Sequence, residues 1–254
     1  MITLISPAKK LDYESAVCTK YFTIPEGLDK SAALITKLQK TSKKQLRELM
    51  SLSDNLTQLN AERYTSWTKD FTEGNTRQAL LAFNGDVYQG MKNTELTEVD
   101  LKFAQEHLRI LSGLHGLLRP LDLIKPYRLE MGTKLSVRKK KNLYQFWGDE
   151  ITNRLNTALE ASGNDTLVNL ASGEYFKAVN TKKLNAKIIT PVFKDMKNGQ
   201  LKVIFLYAKQ ARGMMSGYIL RNRINDAEDL KGFEDGGYRY TEKLSDESTW
   251  VFTR

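Results

Sequence analysis

The sequence predicts a mixed α/β chain, of the α+β kind, folded as a single domain over residues 1–254. Three observations carry that prediction. Apolar residues in the first half recur at helical spacing, as in Leu34, Leu38, Leu46 and Leu49. The second half turns β-rich, with TLVNLAS at 166–172, KIITPVFKD at 187–195 and QLKVIFLYA at 200–208. No internal repeat, low-complexity tract or Gly/Ser linker separates the two textures, so no flexible two-domain arrangement is expected.

In chain order, residues 1–5 alternate like a short strand, and residues 28–52 read as one or two helices. Residues 55–64 and 75–81 read as shorter helices, each opened by an asparagine cap. The segment LLAFNGDVY, 80–88, passes from an apolar run through an Asn-Gly turn signal. Residues 97–111 read as a helix with Thr97 as its cap, and residues 144–161 as another amphipathic helix. Lys197-Asn198-Gly199 marks a tight β-hairpin. Helix returns over 209–223, and short strands near Tyr238 and Trp250 close the chain.

The 41% hydrophobic content suits a globular protein with a sizeable core. The longest apolar runs, such as VIFLYA at 203–208, are far too short to cross a membrane. The opening MITLISPAKKLDY has no basic region before its apolar residues and no A-x-A-like cleavage site, so a first strand is expected rather than a signal peptide. Cys18 stands alone, which excludes an internal disulfide and any multi-cysteine metal site. A cytoplasmic monomer without metal or cofactor is the resulting expectation.

Net charge is +9 with a pI near 9.4, and the charge is segregated. Residues 119–141 carry eight cations against Asp122 and Glu130, a net of +6, and residues 177–223 carry eleven against Asp195 alone, a net of +10. The rest of the chain is therefore net acidic. Segregated positive charge is the footprint of a polyanion binder. Solubility charge that clusters in sequence and scatters in space gives the same count.

Four segments could meet an anion. SPAK, 6–9, follows the first strand, so Ser6, Lys9 and free backbone N–H groups could converge on a phosphate or carboxylate; it also reads as an ordinary loop with an exposed lysine. In KQARGMMS, 209–216, helical spacing puts Lys209, Arg212 and Ser216 on one face, and cations in a first turn oppose the helix dipole unless an anion compensates. NLASGEYFKAV, 169–179, is a strand running into a helix start, with Ser172 as cap and Lys177 free to face a site or water. In LSGLHGLLRPL, 111–121, Gly113 and Gly116 let the chain leave one helix and begin another element beside Arg119. Helix, glycine hairpin, helix is a layout that grips DNA phosphates; a plain glycine-ended helix followed by Pro120 has the same spacing. The two histidines, His107 and His115, match no metal box and no nucleophile triad, and there is no Walker lysine loop and no GxGxxG.

Taken together and in order, SPAK (6–9), FNGDVY (83–88), LSGLHGLLRPLD (111–122), PYRLEMG (126–132), LYQFWGD (143–149), NLASGEYFK (169–177) and KQARGMMS (209–216) resemble the YaaA family, the bacterial peroxide stress proteins. The resemblance implies a cytoplasmic protein that limits intracellular free iron and protects DNA during hydrogen peroxide stress. It implies a single unusual α+β body with a positively charged cleft, a helix-hairpin-helix element and DNA binding. Carried onto this sequence, Gly113 to Gly116 would be the hairpin, with Arg119 and Arg128 beside it, while Ser6, Lys9, Lys177, Lys209 and Arg212 would line the cleft. Pro120 and Pro126 depart from that pattern by shortening the second helix, which leaves much of the grip to the cleft. The leading expectation is a non-enzymatic, sequence-tolerant DNA binder; the alternative is an enzyme acting on a small phosphorylated or carboxylated metabolite in the same cleft.

Overall fold

Ile2, Thr3, Leu4 and Ile5 are all buried, so the chain begins in the middle of a sheet rather than at its rim. The structure is a computed structural model and describes residues 1–72 and 74–254. The first half contains β1 (Ile2–Ile5), α1 (Leu28–Gln39), α2 (Lys43–Met50), α3 (Asp54–Ser66), β2 (Arg77–Gln78), α4 (Ala79–Ala82) and α5 (Asp86–Met91). It continues through α6 (Glu98–His107), β3 (Leu108–Ser112), β4 (Gly116–Leu118) and β5 (Leu123–Ile124). The second half contains α7 (Leu143–Trp147), α8 (Glu150–Ala161), β6 (Thr166–Asn169), α9 (Gly173–Phe176), β7 (Lys187–Lys197), β8 (Gln200–Lys202), α10 (Phe205–Asn222), β9 (Arg239–Tyr240) and β10 (Thr249–Thr253).

The main sheet runs β4-β3-β1-β6-β7-β10-β9, with β8 folded back on the end of β7. The β3–β1, β1–β6, β6–β7 and β7–β10 pairs are parallel, and β4, β8 and β9 add antiparallel partners. The mostly parallel sheet is a correction to the α+β expectation. It explains why β1 and β6 are buried almost throughout, because a parallel strand covered on both faces has no water side. From β1 the chain moves to β3 on one flank, and after β3 it crosses to β6 on the other. The carboxyl ends of β1 and β6 are therefore a topological switch point, where such sheets open a crevice.

Several elements shift from their sequence-based bounds, each for a physical reason. α3 is capped by Ser53, whose Oγ accepts the Leu56 N–H, rather than by Asn55. Residues 75–81 give β2, paired with β5, before one turn of α4. α6 stops at His107 because the apolar LRILS that follows aligns beside β1, with Thr3 opposite Leu108 and Ile5 opposite Ile110. Central pairing in the sheet outweighs helical spacing there. Gly148, at φ 54, breaks the expected helix 144–161 into α7 and α8. The Asn198-Gly199 hairpin is present, with both residues at positive φ. Only 200–202 of the expected strand 200–208 pairs with β7; Phe205 already opens α10.

The stretch at 111–121 is a second correction. Residues 108–118 make the β3–β4 hairpin and contain no second helix, with Ile110 opposite Leu118 and Ser112 opposite Gly116. Gly113, Leu114, His115 and Gly116 are buried. A Cβ on Gly113 would lie 2.2 Å from the Leu129 carbonyl oxygen, and one on Gly116 would lie 2.8 Å from the Trp147 ring. Trp147 Nε1 donates to the Gly113 carbonyl at 3.0 Å. These glycines serve close packing beneath Trp147 and the 129–130 backbone, so no helix-hairpin-helix element lies here.

His115 Nδ1 is 3.1 Å from Ser31 Oγ, while Ser31 Oγ also lies 3.0 Å from the Leu114 carbonyl it donates to. Burial pushes the imidazole pKa down to about 3, with the Arg154 guanidinium adding to the shift. The unfolded chain takes that proton at about 6.5. Stability is thus complete above pH 6.5 and falls by about 1.4 kcal/mol per pH unit as pH drops toward 3. In urea melts from pH 7.5 to 4.5, the gap between the native chain and His115→Asn should hold down to about pH 6.5 and then narrow with acid. A constant gap would mean that His115 accepts a proton in the folded state.

Candidate functional site

A cleft of about 640 Å³ opens at the carboxyl ends of β1 and β6. Its floor is built by extending their pairing. Leu4 pairs with Asn169, the Leu170 N–H donates to the Leu4 carbonyl at 2.9 Å, and the Ser172 N–H donates to Ser6 Oγ at 2.9 Å. Ser6 Oγ donates in turn to Ser172 Oγ at 3.3 Å, and the Tyr88 hydroxyl donates to the Ser6 carbonyl at 3.0 Å. Burial pushes the Tyr88 phenol far above its ordinary range, so it remains a proton donor at any physiological pH.

The walls are α5 and α10, which meet through backbone. A Cβ on Gly213 would sit 1.9 Å from the Val87 carbonyl oxygen, and one on Gly90 would sit 2.3 Å from that of Gln210. Phe205, Lys209 and Arg212 fall at i, i+4 and i+7 on α10 and all line the cleft. Ser216, expected on the same face, is buried and spends its hydroxyl on the Arg212 carbonyl.

The expected positively charged cleft carries acids as well as cations. Lys9, Lys10, Lys209 and Arg212 stand against Asp86, Glu130 and Glu174. Lys9 Nζ is 3.2 Å from Glu130 Oε1, and Lys209 Nζ is 3.7 Å from Asp86 Oδ2. Glu174 Oε1 accepts the Gly132 N–H at 2.8 Å. Arg212 differs from Lys9 and Lys209. It is half-buried, burial lowers its pKa, and among the described residues its guanidinium has no ion-pair partner. A desolvated cation without a counter-charge is costly to fold and favours an incoming anion.

Of the residues singled out from sequence, Ser6, Lys9, Lys209 and Arg212 therefore share one cleft. Arg128 reaches it only through Glu130, whose Oε1 lies 3.1 Å from the Arg128 Nε. Lys177 lies just outside, 5.3 Å above the Tyr144 ring, while the Tyr144 hydroxyl donates to the Glu174 carbonyl. Arg119 is held elsewhere by Asp122 and the Ile24 carbonyl, beside Arg109 and Arg154. Gly113 and Gly116 lie in the core. The basic window 119–141 does not gather at the cleft as a block. Sequence reasoning missed Phe205, Asp86 and Glu130. The first was hidden in an apolar run read as strand, and the acids could have been suspected from their places inside FNGDVY and PYRLEMG.

Residues 1–244 match the family model described as Peroxide stress protein YaaA. With the match running through every cleft-lining segment from SPAK to KQARGMMS, the chain belongs to the YaaA family of peroxide stress proteins.

Proposed function

We propose that the chain acts in peroxide stress defence by holding a small ligand with a phosphate or carboxylate group in the switch-point cleft. The observation that carries this reading is Arg212, half-buried, unpaired among the described residues and lining a cleft together with Lys209. The cleft volume, about 640 Å³, falls within the ordinary range for small-molecule sites. Asp86, Glu130 and Glu174 add acceptors for the hydroxyl or amino groups of such a ligand and oppose a long uniform polyanion. In this reading the limiting of free iron and the protection of DNA follow indirectly from what the cleft binds.

A second reading keeps DNA as a direct partner. It rests on the exposure of Lys177 and the run Arg138 to Lys141, cations outside the cleft and placed to meet backbone phosphates without entering it. The two readings separate in one pair of titrations. Calorimetry with inorganic phosphate should give saturable heat if the cleft is an anion site, and no heat up to high millimolar phosphate would defeat that reading. Duplex binding, followed by anisotropy at several salt concentrations, should lose about 0.9 log unit of affinity per log unit of salt for each phosphate neutralised. A flat salt profile would defeat the second.

A further inference from the structure

Phe205 is 75% exposed, an unusual place for a phenylalanine, and it lines the same cleft as Arg212. The Lys209 ammonium lies 4.3 Å from the centroid of its ring. The lysine packs against the ring, and the ring's exposure leaves it available to a planar partner. On α10 the two residues are seven positions apart, about 10 Å along the axis. Both side chains line the one cleft from the same helical face. An anion receptor and an exposed aromatic platform thus stand at the two ends of one helical face, with the carboxylates of Glu130 and Glu174 also lining the cleft.

Resting on the anion-site reading above, we infer that the cleft's ligand is a free nucleoside monophosphate, its phosphate on Arg212 and its base stacked on Phe205. The ribose then bridges the two, with its hydroxyl groups donating to carboxylate oxygens, a use of acidic residues familiar at sheet switch points. A lone phosphate or a sugar phosphate uses only the Arg212 end. Stacking on Phe205 is the discriminating contact, and base–aromatic stacking carries enough energy to show in affinity.

The test compares three probes by calorimetry on the full chain: inorganic phosphate, ribose 5-phosphate and AMP. AMP should bind about tenfold tighter than ribose 5-phosphate, about 1.4 kcal/mol. In Phe205→Ala the ratio of the two affinities should fall to about one, and Phe205→Trp should restore it. Phe205 is exposed, so neither variant threatens the fold. Equal affinities in the native chain, or a Phe205→Ala effect shared equally by both sugar phosphates, overturns the inference and leaves the anion site standing. A short single-stranded oligonucleotide that binds where AMP does not would place the nucleotide in a chain, and overturns it too. If none of the three small probes binds, the anion reading falls and this one with it.

Discussion

Gly213→Ala should lower the thermal midpoint of the chain by about 6–12 °C, the response to about 3 kcal/mol of overpacking in a domain of this size. The added methyl would stand 1.9 Å from the Val87 carbonyl oxygen, 2.8 Å from its carbon and 2.9 Å from the Met91 nitrogen. All three obstacles are backbone, so no side chain can swing aside. Relief requires α5 and α10 to part. Gly217 repeats the arrangement one turn later, where a Cβ would meet the Met91 carbonyl at 2.7 Å. Arg221 then ties the far end by donating from Nη2 to the Met91 carbonyl at 2.6 Å. The seam is also the cleft's frame, since Asp86 and Tyr88 belong to one helix and Lys209 and Arg212 to the other. Gly213→Ala should therefore weaken phosphate binding along with stability. Gly74→Ala is the control: nothing lies within 4 Å of a Cβ there, and its effect should stay within about 0.5 kcal/mol. Equal melting of the two variants would show that α5 and α10 can yield without cost.

The fold was legible wherever a local signal and the tertiary arrangement agree. Asn198-Gly199 turns a hairpin because two positive-φ residues suit that turn, whatever surrounds it. Thr97 caps α6, accepting the Asp100 N–H while the Asp100 carboxylate accepts the Thr97 N–H. The signals failed where the deciding partner is remote. Residues 108–112 follow a helix in period and composition, yet β1, a hundred residues earlier, gives them a buried neighbour with matching register. At 203–208 the opposite holds. An apolar run that reads as strand finds no sheet beside it, leaves Val203, Phe205, Leu206 and Tyr207 exposed, and winds into α10.

The site was legible in pieces and illegible as an assembly. SPAK and KQARGMMS each carried a cation and a turn or helix start, which is enough to suspect an anion. What joins them is the β1–β6 pairing and the glycine seam of α5 with α10, both long-range. Charge segregation along the chain proved a poor guide to charge in space. Arg119 is held by Asp122, Arg128 by Glu130 and Lys183 by Asp149, so these cations are tied to local partners rather than gathered at the cleft. The glycines at 113 and 116 misled for a different reason: close packing and turn formation select glycine equally, and sequence does not separate the two.

Arg212→Ala should weaken phosphate binding by about 10- to 100-fold, the range for losing a charge-assisted contact in a partly desolvated site. The unliganded chain should respond in the opposite sense. Arg212 is half-buried without a counter-charge among the described residues, so deleting it removes a penalty, and the melting point without phosphate should hold or rise. Residues kept for the fold rarely behave this way, whereas a residue strained for a ligand does. The native chain should gain stability as phosphate is added, about 2.7 kcal/mol at a hundred times the dissociation constant; Arg212→Ala should show almost none of this gain. Arg212→Lys should fall between, since an ammonium keeps the charge but loses the planar fork that grips two oxygens at once. Melting curves of the three proteins, with and without phosphate, decide the matter. A lower midpoint for Arg212→Ala in plain buffer, with the phosphate-induced rise intact, would assign Arg212 to the packing of α10 and leave the cleft without its anion receptor.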